Sequence, residues 1–104
     1  MNSIDTFKSL LEKGNDNALL RYSLGNEYFK AADFEQAIIH LEKAIEFNQT
    51  YSAAWKLYAK ALSENNQNTK AINAYEEGIN IAEENGDMQA VKEMRVFLKR
   101  LKKN

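Results

Sequence analysis

Displaced by 34 residues, the chain overlays on itself. Leu24 falls on Tyr58, Ala37 on Ala71, Ile38 on Ile72, Leu41 on Tyr75, Glu42 on Glu76 and Ile45 on Ile79. Small, aliphatic and aromatic classes stay in step. Such a period constrains the fold more than local propensity does, because each copy must bury its apolar face against the next. Within a copy the apolar residues recur three and four apart, as in Ala37, Ile38, Leu41, Ala44 and Ile45, the pattern of a helix apolar on one side. The chain has no proline to interrupt long helices, and its 104 residues leave room for one core.

The residues inside the period resemble the tetratricopeptide repeat. In the first unit Arg21, Leu24, Gly25 and Tyr28 follow the signature of that family's first helix, with Arg21 where tryptophan is usual. In the second, Trp55 restores the tryptophan, while Tyr58, Ala59 and Leu62 replace leucine, glycine and tyrosine. The second-helix part follows as Ala37, Leu41 and Ala44, then as Ala71, Tyr75 and Gly78. The closing proline is absent from both, with Gln49 and Glu83 in its place. The resemblance implies an all-α, antiparallel helix-turn-helix solenoid of about six helices that acts as a non-catalytic scaffold for a protein or peptide partner. Small residues have a physical role here regardless of family. Gly25 and Ala59, facing Ala37 and Ala71, let two helix backbones approach, with Tyr28, Leu41 and Tyr75 filling the space beside them.

The expected organisation is a single domain over 1–104, with repeats at 18–51 and 52–85. Residues 1–17 read as a half-repeat, since Ile4, Phe7, Leu10 and Leu11 are in register with Ile38, Leu41, Ala44 and Ile45. Ser3 is expected to cap that helix and Gly14 to end it in a left-handed conformation. Residues 86–104 read as a basic capping helix started by Asp87, with Met88, Val91, Met94, Phe97, Leu98 and Leu101 as its apolar stripe.

Charge is segregated. Residues 1–91 hold 8 Lys or Arg against 14 Asp or Glu, whereas 92–104 hold six basic residues against Glu93 alone. The absence of cysteine excludes disulfides and thiolate chemistry. The start of the chain has no basic-then-apolar leader pattern, and no apolar run reaches membrane-spanning length, so a cytoplasmic location is expected. His40, the one histidine, has no carboxylate three or four residues away and reads as a half-exposed helix residue. The glycines form no phosphate loop, and Glu83, Glu84 and Asp87 lack calcium-loop spacing and read as a solvated helix end. No catalytic residue, metal site or cofactor is assigned.

A concave solenoid face is lined mainly by the first helix of each unit. Setting the signature residues inside leaves a groove stripe of Leu19, Tyr22, Asn26, Phe29 and Lys30 in the first unit, and of Ala53, Lys56, Lys60, Ser63 and Glu64 in the second. Tyr22 and Phe29 are either peptide anchors or packed against the first or last helix. Lys56 and Lys60, one turn apart, favour an acidic peptide. Some members of the family grip a C-terminal carboxylate with a clamp of two lysines, two asparagines and an arginine. Asn26 matches one asparagine of that clamp, but Tyr22, Leu57, Asp87 and Val91 replace the others, so that mode of binding is not expected. Two further readings stand beside the groove. The basic helix could bind nucleic acid or another acidic surface, and the negative body and positive tail could drive weak homodimerisation.

Overall fold

The computed structural model describes residues 2–103. They form six helices, α1 (Ser3–Glu12), α2 (Ala18–Lys30), α3 (Phe34–Phe47), α4 (Ser52–Glu64), α5 (Asn68–Asn85) and α6 (Met88–Lys102), with no strand among the described residues. Each helix packs on the next in sequence. In addition α2 meets α4, and α4 meets α6, whereas the backbones of α1 and α3, and of α3 and α5, stay more than 8 Å apart between α-carbons. One side of the stack is therefore closed by α2, α4 and α6, and the other is splayed between α1, α3 and α5. The array measures 42 × 28 × 18 Å. None of its helices is long and apolar enough to cross a membrane.

Local chemistry sets the boundaries. The side chains of Asn17, Asp33 and Asp87 cap α2, α3 and α6 by accepting from the backbone N–H of Leu20, Gln36 and Ala90. The start of α1 departs from expectation. Asn2 is its cap, accepting from the N–H of Asp5 at 2.9 Å, and Ser3 is already the first helical residue. Gly86 ends α5 at φ +75°, a conformation that costs a side chain but not glycine. Gly14 does the same after α1 at φ +89°. The repeat is visible in the backbone itself. Ala32 and Asn66, 34 residues apart, both take φ +61° in the turn inside their unit.

The core is built from small residues against large ones. Ala37, Ala59 and Ala71 are fully buried, and Leu24, Leu41, Leu62 and Tyr75 fill the layers between them. The largest cluster joins Leu62, Tyr75 and Ile79 to Val91 and Met94, so α6 completes the core of the second unit. Met88 departs from its expected place in that stripe: it is the first residue of α6 and is 51% exposed. Two cross-links fasten the α3–α4 turn to the α5–α6 turn. Ser52 Oγ donates to Asp87 Oδ2 at 2.9 Å, and Asn85 Nδ2 donates to the Thr50 carbonyl at 2.7 Å. Glu83 pairs with Arg95 at 3.3 Å. Two members of the acidic group at 83–87 are thus engaged in structural contacts. At the opposite end α1 has no buried residue.

Candidate peptide-binding face

The closed side of α2, α4 and α6 is the surface on which the groove residues were expected, and they separate into three groups. Lys60, Ser63 and Glu64 come together with Tyr75, Phe97, Arg100 and Leu101 around a cleft of about 240 Å³. The Lys60 ammonium lies 5.5 Å from the Phe29 ring centre and 5.1 Å from that of Phe97, so one cation spans α2, α4 and α6. The Arg100 guanidinium lies 5.9 Å from the same Phe97 ring. Phe29 also meets Phe34 edge-on at 5.3 Å, which places it beside α3 and Lys60 rather than free in a groove.

A second group is engaged within the fold. Lys56 Nζ donates to Glu93 Oε1 at 3.1 Å, tying α4 to α6 and neutralising one of the two lysines expected to meet an acidic ligand. Tyr22 packs on Tyr51 of the α3–α4 turn at 5.0 Å between ring centres. Lys30 pairs with Glu27 at 2.8 Å on the same helix. Leu19 stands apart. It is 66% exposed and lines a separate hollow with Phe7, Leu10 and Leu20 between α1 and α2. Asn26 and Ala53 are half-buried on α2 and α4.

Phe97, Arg100, Leu101 and Tyr75 are cleft residues that the period did not single out. Phe97 and Leu101 lay on the stripe assigned to core packing, and Tyr75 on the buried side of α5. The signal in the sequence was Arg100, three residues from Phe97 and so on the same side of α6.

Arg21, which stands in the signature's tryptophan position, organises a polar cluster. Its guanidinium donates to both carboxylate oxygens of Asp16 at 2.8 and 2.9 Å, and to His40 Nδ1 at 3.0 Å. The His40 ring stacks on Tyr28 at 5.4 Å with 4° between planes and is 8% exposed, so it is buried rather than half-exposed. Arg21 holds the Asp16 carboxyl below its ordinary value, chiefly through the hydrogen bond. Burial, followed by the Arg21 charge, pushes His40 below its usual 6.5. A histidine depressed by folding binds fewer protons native than unfolded, so its contribution is complete above 6.5 and declines as the pH falls from there. The thermal midpoint is therefore expected to decline on acidification below about pH 6.5, and His40→Gln to flatten that slope. Parallel melts of the two proteins check this, and equal slopes would remove His40 from the account.

The tetratricopeptide repeat model matches residues 28–94, well over half of the chain. The chain belongs to the tetratricopeptide repeat family. It is 45% identical over 98 residues to the TPR repeat-containing protein PA0015 of Pseudomonas aeruginosa, covering 94% of this chain and 93% of that one. Among solved structures, that of protein BPP2914 from Bordetella parapertussis superposes with a TM-score of 0.88 at 39% identity, covering 99% of this chain and 90% of the other. The crystal structure of a tetratricopeptide repeat domain protein from Salinibacter ruber shares the fold, with a TM-score of 0.77 at 22% identity and 84% and 97% coverage. Tetratricopeptide repeats are generally non-catalytic interaction modules, and this membership carries the same general reading.

Proposed function

We propose that the chain holds a peptide segment of a partner protein against α2, α4 and α6, with an acidic group of the ligand seated between Lys60 and Arg100. The observation that carries this is the position of Lys60. Among the described residues it forms no ion pair, in a protein where Lys56, Arg95 and Lys102 are each matched to a glutamate from another helix. Two ring faces hold its ammonium at the mouth of the cleft and leave a hydrogen-bonding hemisphere for a carboxylate. Phe97 and Leu101 offer the ligand apolar area, and Ser63 a hydroxyl. Residues 1–17 as a half-repeat and 86–104 as a capping helix that also lends its inner edge to the cleft complete this reading.

The test separates the two groove lysines. A panel of fluorescent peptides, acidic, neutral and basic, is titrated against the wild type, Lys60→Ala, Arg100→Ala and Lys56→Ala. Acidic peptides are expected to bind best, and Lys60→Ala or Arg100→Ala to weaken them at least about tenfold, the scale of one charge-assisted hydrogen bond. Lys56→Ala is expected to leave affinity nearly unchanged while loosening the α4–α6 contact. Equal affinity for all peptide classes, or no effect of Lys60→Ala, rules the seat out.

A further inference from the structure

The splayed side of the stack carries a second surface. Where the backbones of α3 and α5 stay more than 8 Å apart between α-carbons, there is a cleft of about 410 Å³, lined by Trp55 and Tyr58 of α4 and by Lys70, Asn73, Ala74 and Glu77 of α5. Tyr58 donates to Glu42 of α3 at 3.0 Å, which sets a carboxylate at its border. Burial and the Glu42 contact push the Tyr58 phenol up to about 12, so it remains a neutral donor at any physiological pH. The two helices flanking this opening carry seven glutamates against Lys43 and Lys70; Glu76 and Glu83 pair with α6 and Glu46 with Lys43, which leaves Glu35, Glu42, Glu77 and Glu84 without an ion pair among the described residues. On α3 the exposed run of Glu35, Ile39, Glu42 and Glu46 lies on one side, with Ile39 51% exposed.

The outer side of α6 is its complement. Met88, Lys92, Val96, Lys99 and Lys103 recur at three- and four-residue spacing and so form one stripe. Met88 is 51% and Val96 48% exposed. Arg95 and Lys102 are neutralised by Glu83 and Glu76, but among the described residues Lys92, Lys99 and Lys103 form no ion pair. A cationic stripe with two apolar side chains thus faces outward on the same chain that carries a cleft with an aromatic side, where Glu77 and the bordering Glu42 outnumber Lys70.

We propose that copies of this chain associate heterologously, the outer stripe of α6 from one copy docking along the α3–α5 opening of another, over Trp55 and Tyr58. Lysine ammoniums meet Glu42, Glu46 and Glu77 and can lie over the Trp55 ring, and Met88 and Val96 find apolar cover. The surface is distinct from the α2–α4–α6 cleft, so peptide binding and self-association do not compete for residues. A single helix edge buries less than a standard interface, so the association is weak and salt-sensitive.

Charge reversal with crossed rescue tests it. Sedimentation of the full chain over about 10 µM to 1 mM in low salt is expected to show a rising mass, reversed at about 0.5 M salt. Glu46→Lys with Glu77→Lys, and separately Lys92→Glu with Lys99→Glu, are each expected to weaken association at least about tenfold. All four positions are exposed, so each variant is expected to keep its helices, which circular dichroism checks. Mixing the two variants restores association, because the basic stripe of the first then meets the unaltered cleft of the second. Trp55 is the only tryptophan, so its protection from acrylamide should rise with mass. A wild type that stays monomeric, variants that associate like it, or a mixture that fails to recover overturns the proposal. So does a monomeric wild type whose α6 stripe retards nucleic acid, which would assign those lysines to phosphate instead.

Discussion

Tyr75→Ala is expected to cost about 3–5 kcal/mol of stability, the range for deleting a large buried ring. Tyr75 is 2% exposed and stands where α4, α5 and α6 meet, in one cluster with Leu62, Ile79 and Met94 and with its ring centre 6.0 Å from that of Phe97. No single neighbour can refill the space. Its removal leaves a cavity at the junction on which the docking of α6 depends, and the thermal midpoint should fall by more than about 12 °C. Tyr75→Phe serves as the control. It keeps the ring and should stay within about 1.5 kcal/mol of wild type, the usual bound for a volume-conserving change. Chemical denaturation of the three proteins decides the matter, and a loss below about 1 kcal/mol for Tyr75→Ala would show that the junction repacks.

The second large effect is steric and concerns a single methyl group. At Gly25 an added Cβ would lie 2.5 Å from Leu41 Cγ and 2.7 Å from its Cδ2. Cγ is a branch point, and Leu41 is completely buried, so it has nowhere to turn. Alanine in a helix interior normally gains about 1 kcal/mol over glycine. At this position overpacking of about 1–3 kcal/mol should reverse the sign, and Gly25→Val should exceed it. Gly78 offers a comparison. There the nearest atom is Met94 Sδ at 2.8 Å, part of an unbranched side chain that can rotate, followed by Trp55 Cβ at 3.0 Å. Gly78→Ala should therefore be the milder change. Leu41→Ala, which removes Cγ, is expected to destabilise the wild type but to cost less in the Gly25→Ala background, a coupling that a double-mutant cycle measures. Additive losses would mean that the helices separate instead of the side chain yielding.

These two residues also show what the sequence makes legible. Gly25, Ala37, Ala59 and Ala71 could be placed at helix contacts because close approach demands small side chains at fixed spacing, and periodicity reports spacing directly. Gly14, Gly86 and Asp87 could be placed at helix ends for the same local reason. The site was less legible because its contacts are not periodic. Lys56 occupies a groove position on any helical projection, but its partner Glu93 lies 37 residues away on another helix. Arg21 looks like a departure from the signature until Asp16 and His40 converge on it in three dimensions. Tyr22 is covered by Tyr51, a residue of the turn before α4. Phe97 belongs to a stripe that reads as core, and only the packing of α6 against α4 brings its ring face to Lys60. The period tells which side of a helix is inward. The curvature of the stack decides which inward residues remain accessible, and curvature depends on packing between units.

The absence of any buried residue in α1, set against the laced turns and dense core at the other end, gives the molecule a polarity of rigidity. Backbone amides of α1 should exchange with solvent through cheap local openings, while those of α4 and α5 wait for global unfolding. Each opening undocks the α1 helix from α2 and bares Leu20 together with the neighbouring hollow. The protein thus behaves as a stiff rod with one hinged leaf, and any process that needs a transiently apolar surface will find it at the leaf and not along the rod.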